Sequence, residues 1–470
     1  MIGLSQNLNK SNMSAEKQYI DLYDQTTEML CDNSVNVMNL QRSAARQALL
    51  ENGLVGLNTE RYRHTDMEKI FAPDYGVNLK RMDFPINPYD AFKCGVPNIG
   101  STLFFVVNDS FYNKDLPKNN LPENVFAGSL HQFAEKYPDI AEKYYGKAAD
   151  VTKEGSVALN TLLAQDGFVL YVREGTQLDH PIQIVHIATG KTDLMTNRRV
   201  LVIIERNAKA TLLVCDHNMS SATFLNTQVT EIFAEENASL DYTDLEESSL
   251  KTTRVSNIYA KLKANANVWI NGTTLLNGTT RNNYQIDLDG EGAYTSLSGM
   301  VIADNKQKVD THSLISHHVP HCESNELFKY VLNDEAIGAF NGRVLVDRDA
   351  IKTIANQTNR NLCATNKCRM YSEPQLVINA DDVKCSHGMT TGQLDENALF
   401  YMRQRGIPEA TARKILSVAF TADVIDRVRL DAIRTRLTTL TEDRFSGKLS
   451  RCATGTCKTC SKNLNIKNLL

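Results

Sequence analysis

The chain has 470 residues, ten cysteines and a formal net charge of −4, from 51 Lys and Arg against 55 Asp and Glu. That length implies two or three domains with ample core, and the near balance of charge gives no general attraction to a phosphate backbone or an anionic membrane, so nucleic acid is not an expected partner. No apolar run exceeds five residues (103–107, 168–172 and 200–204), far below the roughly 20 that span a bilayer. The N-terminus lacks the basic start and apolar core of a secretory signal. A cytoplasmic location without membrane contact is expected, and in that reducing setting the cysteines are buried thiols, metal ligands or reactive groups rather than a disulfide framework.

Residues 1–155 hold seven of the eleven prolines and read as a mostly helical N-terminal region with irregular connections. Over 17–51 the positions Ile20, Tyr23, Met29, Val37, Leu40, Ala44 and Leu49 recur at loose helical spacing, with Gly53 as a stop signal. A second helical piece is expected over 124–149, after Pro122. From 156 to 391 the texture changes: β-branched runs at 200–204, 211–215, 268–270 and 344–346 alternate with Asn, Asp and Gly turns, which is strand composition. A short motif recurs there, at Asn207-Ala208-Lys209-Ala210, Asn237-Ala238-Ser239-Leu240, Asn265-Ala266-Asn267-Val268, Gly290-Glu291-Gly292-Ala293 and Asp334-Glu335-Ala336-Ile337. The first four are 30, 28 and 25 residues apart, a period typical of stacked coils that bury each other's apolar sides. The Asn or Asp supplies the bend and the small residue lets the next coil approach. The chain is therefore expected to be mainly β, a parallel β-helix or another stacked-strand solenoid, flanked by helical N-terminal and C-terminal regions; an antiparallel sandwich with irregular turns is the alternative.

Beyond Gly392 the period becomes helical. A short helix over 394–405 ends at Gly406, and Pro408 suits the first turn of the next. Ile415, Val418, Ala422, Ile425, Leu430, Ile433, Leu437 and Leu440 then form one apolar stripe. Over 392–445 this describes a C-terminal helical domain whose stripe either packs on its own protein or docks a partner. Residues 446–470 form a basic tail.

Few motifs carry chemistry. Gly190-Lys191-Thr192 lacks the glycine five residues earlier that a phosphate loop needs, because position 185 is Val185. His312, His317, His318, His321 and Cys322 offer metal donors, yet four of them fall within six residues around Pro320. Neighbouring side chains alternate faces in a strand, so at most two or three could meet one ion, and ordinary packing serves them equally well. In Ala380-Asp381-Asp382-Val383-Lys384-Cys385-Ser386-His387-Gly388, Cys385 and His387 are two apart. An extended backbone points both to one side, where thiolate and imidazole could bind one soft metal or pass sulfur; by itself such a pair is also compatible with plain packing. Cys452, Cys457 and Cys460 are spaced like a plant-type ferredoxin run that lacks its fourth ligand, with Arg451 and Lys458 to lower their thiol pKa.

The stretch 380–388, continued by Thr391-Gly392-Gln393-Leu394-Asp395-Glu396 and Leu399-Phe400-Tyr401-Met402-Arg403-Gln404-Arg405-Gly406-Ile407, closely resembles the SufB/SufD family of iron-sulfur cluster assembly proteins. His317-His318-Val319-Pro320, Phe340-Asn341-Gly342-Arg343 and Gln357-Thr358-Asn359-Arg360-Asn361-Leu362 are similar to further blocks of that family. The SufB branch usually has Glu after the motif histidine, so Gly388 favours the SufD branch. The resemblance implies a right-handed parallel β-helix and a non-enzymatic scaffold subunit of the SufBCD complex. Such a subunit pairs with SufB through the β-helix ends, binds the SufC ATPase through its C-terminal helices, and shares a transient iron-sulfur cluster with SufB; alone it could form a homodimer. It also implies His387 as a cluster ligand, Cys385 beside it, and Leu399, Phe400, Ile415, Val418 and Ala422 as SufC-docking positions. Cys363 and Cys368, like the three tail cysteines, depart from the family pattern. A SufB-like sulfur-accepting scaffold is the nearer alternative, and a β-helix carbohydrate-active enzyme the more distant one, disfavoured because no ladder of acids lines one groove.

Overall fold

The computed structural model describes residues 14–82, 84, 86–88, 100–114 and 121–447. Its centre is a stack of coils, built from the corners outward. At one corner Asn207, Asn237, Asn265, Gly292, His321, Lys352 and Asp382 all take positive φ, between 54° and 74°, the left-handed bend that Asn, Asp and Gly tolerate best. The residue after the bend is small and sealed in: Ala208, Ala238, Ala266, Ala293 and Cys322 are at most 1% exposed, because successive corners lie directly on one another. Backbone bonds lock this stack, the amides of Asn207, Asn237 and Lys352 donating to the carbonyls of Glu236, Ala264 and Asp382. The Asn237 side chain donates to Asn207 Oδ1 at 2.9 Å. Asn305 and Asp334 bend the same way at the opposite corner, so the motif at 334–337 belongs to a second series rather than continuing the first four.

Each coil gives one strand to each of two sheets. The first sheet runs from Val125–Ser129 through Phe168–Val172, Leu194–Ile204, Phe224–Ala234, Thr252–Leu262, Thr279–Leu288, Lys308–His317 and Ile337–Val346 to Arg369–Ile378. The second runs from Ser110–Phe111 and Thr102–Val107 through Ile182–Ala188, Lys209–Asn218, Ser239–Glu247, Asn267–Leu276, Tyr294–Ala303, Glu323–Leu332 and Ile354–Cys363 to Lys384–Gly392. Pairing is parallel along both, except where Thr102–Val107 meets Ser110–Phe111 and Val125–Ser129 meets Phe168–Val172. Inward residues such as Leu170, Val202, Ile232, Ile270 and Leu297 form the core. Parallel sheets need cover on the other face too. Helices Ala15–Asp32, Asn36–Asn52 and Gly155–Leu163 supply it on the first sheet, packing Leu30, Ala48 and Leu159 with Met195, Leu225 and Val255. Glu409–Ile425 and Asp431–Phe445 cover the second, packing Val424, Ile433, Leu437 and Leu440 with Val185, Leu213, Leu245 and Met300.

The mainly β, parallel solenoid with helical flanks is the architecture the sequence predicts; the sandwich is not. Three local expectations change. The helix over 17–51 breaks at residues 33–35 into two. In 124–149 the opening residues are the strand Val125–Ser129, followed by helices Leu130–Lys136 and Pro138–Tyr144; with Thr102–Val107, this strand carries the sheets into the N-terminal region. Gly190-Lys191-Thr192 is the turn between two strands, with no helix behind it. Among the described residues no helix is long and apolar enough to cross a membrane. Cys94 and the tail cysteines Cys452, Cys457 and Cys460 lie outside the described residues.

Candidate functional site at the open end of the solenoid

The strand Lys384–Gly392 pairs with Ile354–Cys363 on one side, and no described strand flanks its other side. The Lys384 amide donates back to the Thr353 carbonyl. Because backbone groups alternate direction along a strand, the N–H and C=O groups of Cys385, His387, Met389 and Thr391 point to the unpaired edge. Every residue of this strand except the half-buried Cys385 is exposed.

Register then decides which side chains face inward. Cys385, His387 and Met389 sit beside Ala355, Gln357 and Asn359, all of them buried, so the three soft donors line the mouth of the solenoid's interior. Cys385 packs against Ala355, Val344 and Ala380, and burial raises its thiol pKa. Gly388 points the other way, and a Cβ there would meet nothing within 4 Å. The fold therefore does not require glycine at this position.

Behind the mouth the interior turns polar. The inward column that ends at His387 reads Leu212, Tyr242, Ile270, Leu297, Glu326, Gln357, His387. Burial pushes the Glu326 carboxyl up to about 7, and its Oε2 accepts from Gln357 Nε2 at 2.6 Å. Deeper in, Arg254 bonds Asp244 at 2.5 Å and approaches Asp216 at 3.1 Å, while Arg198 pairs with Asp216. Burial pushes Glu246 in the same cluster up to about 7 and the neighbouring His186 down to about 3. Two guanidiniums thus serve three acids, and the least compensated acid keeps its proton near neutrality.

The other sequence candidates separate in space. His317 faces inward and bonds Ser324 Oγ at 2.8 Å. His312 faces outward against Asp310 at 3.1 Å, and His318 bonds Asp347 at 2.6 Å. His321 and Cys322 occupy the left-handed and small corner positions. Among the described residues no three His, Cys, Asp or Glu side chains converge as a metal group. Cys363 and Cys368 do meet across a turn, where burial and the second thiol push Cys363 up to about 12.

On the C-terminal helices the expected docking set divides. Leu399 is 2% exposed and packs with Val331, Leu362, Leu394 and Ala412. This corrects its expected role, because it fastens the helix Glu396–Gln404 to the second sheet and cannot face a partner. Phe400 is 62% exposed, Ile415 44%, and Tyr401, which the expected set omits, 58%. Val418 and Ala422 are half-buried. The stripe from 415 to 440 is therefore two faces: Ile425, Ile433, Leu437 and Leu440 hold the solenoid, while Ile415 turns to solvent.

Two helix-clad, mostly parallel sheets wound as stacked coils, ending at the Cys-x-His strand, place the chain in the class of parallel β-solenoid proteins. A model described as "SUF system FeS cluster assembly, SufBD core domain" matches residues 186–420, and one for the SufBD protein N-terminal region matches residues 13–184. The chain belongs to the SufBD family of iron-sulfur cluster assembly proteins. It is similar to a SufBD family protein of Synechocystis, 26% identical over 92% of this chain and 96% of the relative. It is also similar to the iron-sulfur cluster assembly protein SufD of Bacillus subtilis (28% identical; 74% and 80% covered) and SufD of Escherichia coli (27%; 62% and 69%).

Proposed function

We propose that the chain acts as a SufD-like, non-catalytic subunit whose open solenoid end pairs with SufB and helps hold a nascent iron-sulfur cluster as cargo. One observation carries this reading: among the described residues the terminal strand has no partner on its outer edge, and its register turns Cys385, His387 and Met389 into the mouth. An unpaired parallel edge invites another strand, and a second copy of the chain could take the place when SufB is absent. The pair Cys385 and His387 falls short of the ligands a cluster needs, so the remainder come from the facing subunit. Imidazole suits a site that must release its product, since a neutral ligand holds iron less firmly than thiolate. The SufC ATPase docks on the helical region 392–445 through Phe400, Ile415, Val418 and Ala422.

Co-purification with SufB and SufC under anaerobic conditions tests both contacts. The variant His387→Ala is expected to lower cluster yield at least about tenfold, more than ~1.4 kcal/mol of lost stabilisation, with all three subunits still together. Ile415→Glu is expected to shed SufC and keep SufB. Full cluster yield in the first variant, or unchanged SufC in a folded second one, would contradict the respective assignment.

A further inference from the structure

The polar end of the inward column has a construction that the cluster reading leaves unused. Gln357 is 1% exposed and sits on the ladder between Glu326 and His387. Its amide nitrogen is committed away from the mouth, donating to Glu326 Oε2 at 2.6 Å. Its Oε1 is buried and has no hydrogen-bond partner among the described residues. Space for the amide comes from across the interior, where Gly342 on the first sheet has no side chain; a Cβ there would lie 2.4 Å from Gln357 Nε2. A buried acceptor without a donor is costly, and adjacent rungs of a ladder lie only about 4.8 Å apart. The nearest rung toward the mouth carries His387, an exposed imidazole with a ring N–H to give.

We propose that Gln357 is a positioning residue for His387: its Oε1 accepts a hydrogen bond from one imidazole N–H, Glu326 holds the amide in that orientation, and the other ring nitrogen is left unprotonated toward the mouth. This rests on the reading of His387 as a cluster ligand. A hydrogen bond to one ring nitrogen selects the tautomer, and therefore which nitrogen can bind metal. Gly342 acts as the cradle that keeps the amide in place.

The test uses the full chain with 15N-labelled histidine, at a pH about 1.5 units above the ordinary imidazole value of ~6.5, with thermal unfolding as a check on folding. Nitrogen shifts of His387, assigned with His387→Ala, report the tautomer without any cluster present. The wild-type ring is expected in one tautomer by about tenfold or more. Gln357→Met, which removes the acceptor, is expected to reduce that preference at least threefold. Gly342→Ala, whose Cβ would meet Gln357 Nε2 at 2.4 Å and the Phe340 ring at 2.7 Å, displaces the amide by a change outside the terminal strand and is expected to act like Gln357→Met, so the inference survives a misfolded first variant. The same tautomer ratio in the wild type and in either folded loosening variant would overturn it. Because this readout needs no cluster, full cluster yield in His387→Ala would sink the ligand reading and leave the tautomer result standing on its own.

Discussion

The two ends of the solenoid are finished in opposite ways. At the N-terminal end Thr102–Val107 turns back on Ser110–Phe111 and Val125–Ser129 lies antiparallel to Phe168–Val172. Phe104, Phe111 and Phe168 close the interior there, with ring centroids 5.4–6.3 Å apart. At the other end the last strand is exposed along almost its whole length, and the inward column exchanges Leu297 for Glu326, Gln357 and His387. A stack of parallel strands must stop somewhere, and one end shows that this chain can stop with an aromatic plug and a reversed strand. The open end is a contrast the same chain makes with itself, and its polar lining and unpaired edge suit a surface kept for another subunit.

That contrast can be broken from either side. The largest effect is expected at the closed end, where Phe104→Ala should cost about 3–5 kcal/mol of stability in denaturant titration and leave affinity for SufB unchanged in the folded fraction; a lost affinity would mean that the ends are not independent. A smaller effect is expected from the acid beneath the mouth. The folded Glu326 carboxyl lies at about 7, above its ordinary value of 4.5. Its protonated form therefore contributes stability that is fully present below the unfolded pKa and is lost as pH rises through about 7. Glu326→Gln, which cannot ionise, should match the wild type at about pH 4 and below, pull ahead of it between about pH 4.5 and 7, and exceed it at pH 8 by up to about 3 kcal/mol. Equal stabilities at pH 8 would show that water reaches the carboxyl and that the interior is open further down than Gln357.

Legibility from the sequence follows how local each cause is. The Asn-Ala corners are visible because a left-handed bend followed by a small residue is a local requirement, repeated at every coil. Val125–Ser129 is not, because its choice of strand over helix is made by Phe168–Val172 beside it. Cys385 and His387 could be put on one side from their spacing alone, but that the side is the inner one depends on Ala355 and Gln357, some 30 residues away. Leu399 and Phe400 are adjacent and both apolar; only contact with Val331 and Leu362 decides which is buried. Gly342 and Gln357 fall in stretches that resemble the family, but nothing local says that they meet with Glu326, since that meeting is a product of register across two sheets. A polar residue at an inward position of an otherwise apolar ladder is the one clue that could have marked them.

Hydrogen exchange on the terminal strand tests the central claim most directly. In the chain alone, at dilution, the amides of Cys385, His387, Met389 and Thr391 should exchange fast, while those of Lys384, Ser386, Gly388 and Thr390, held by the neighbouring strand, are slow. On binding SufB the four edge amides should slow at least about a hundredfold, the mark of an edge that has gained a strand. If SufB binds and those four amides still exchange as in the free chain, the open end is not where the partner docks.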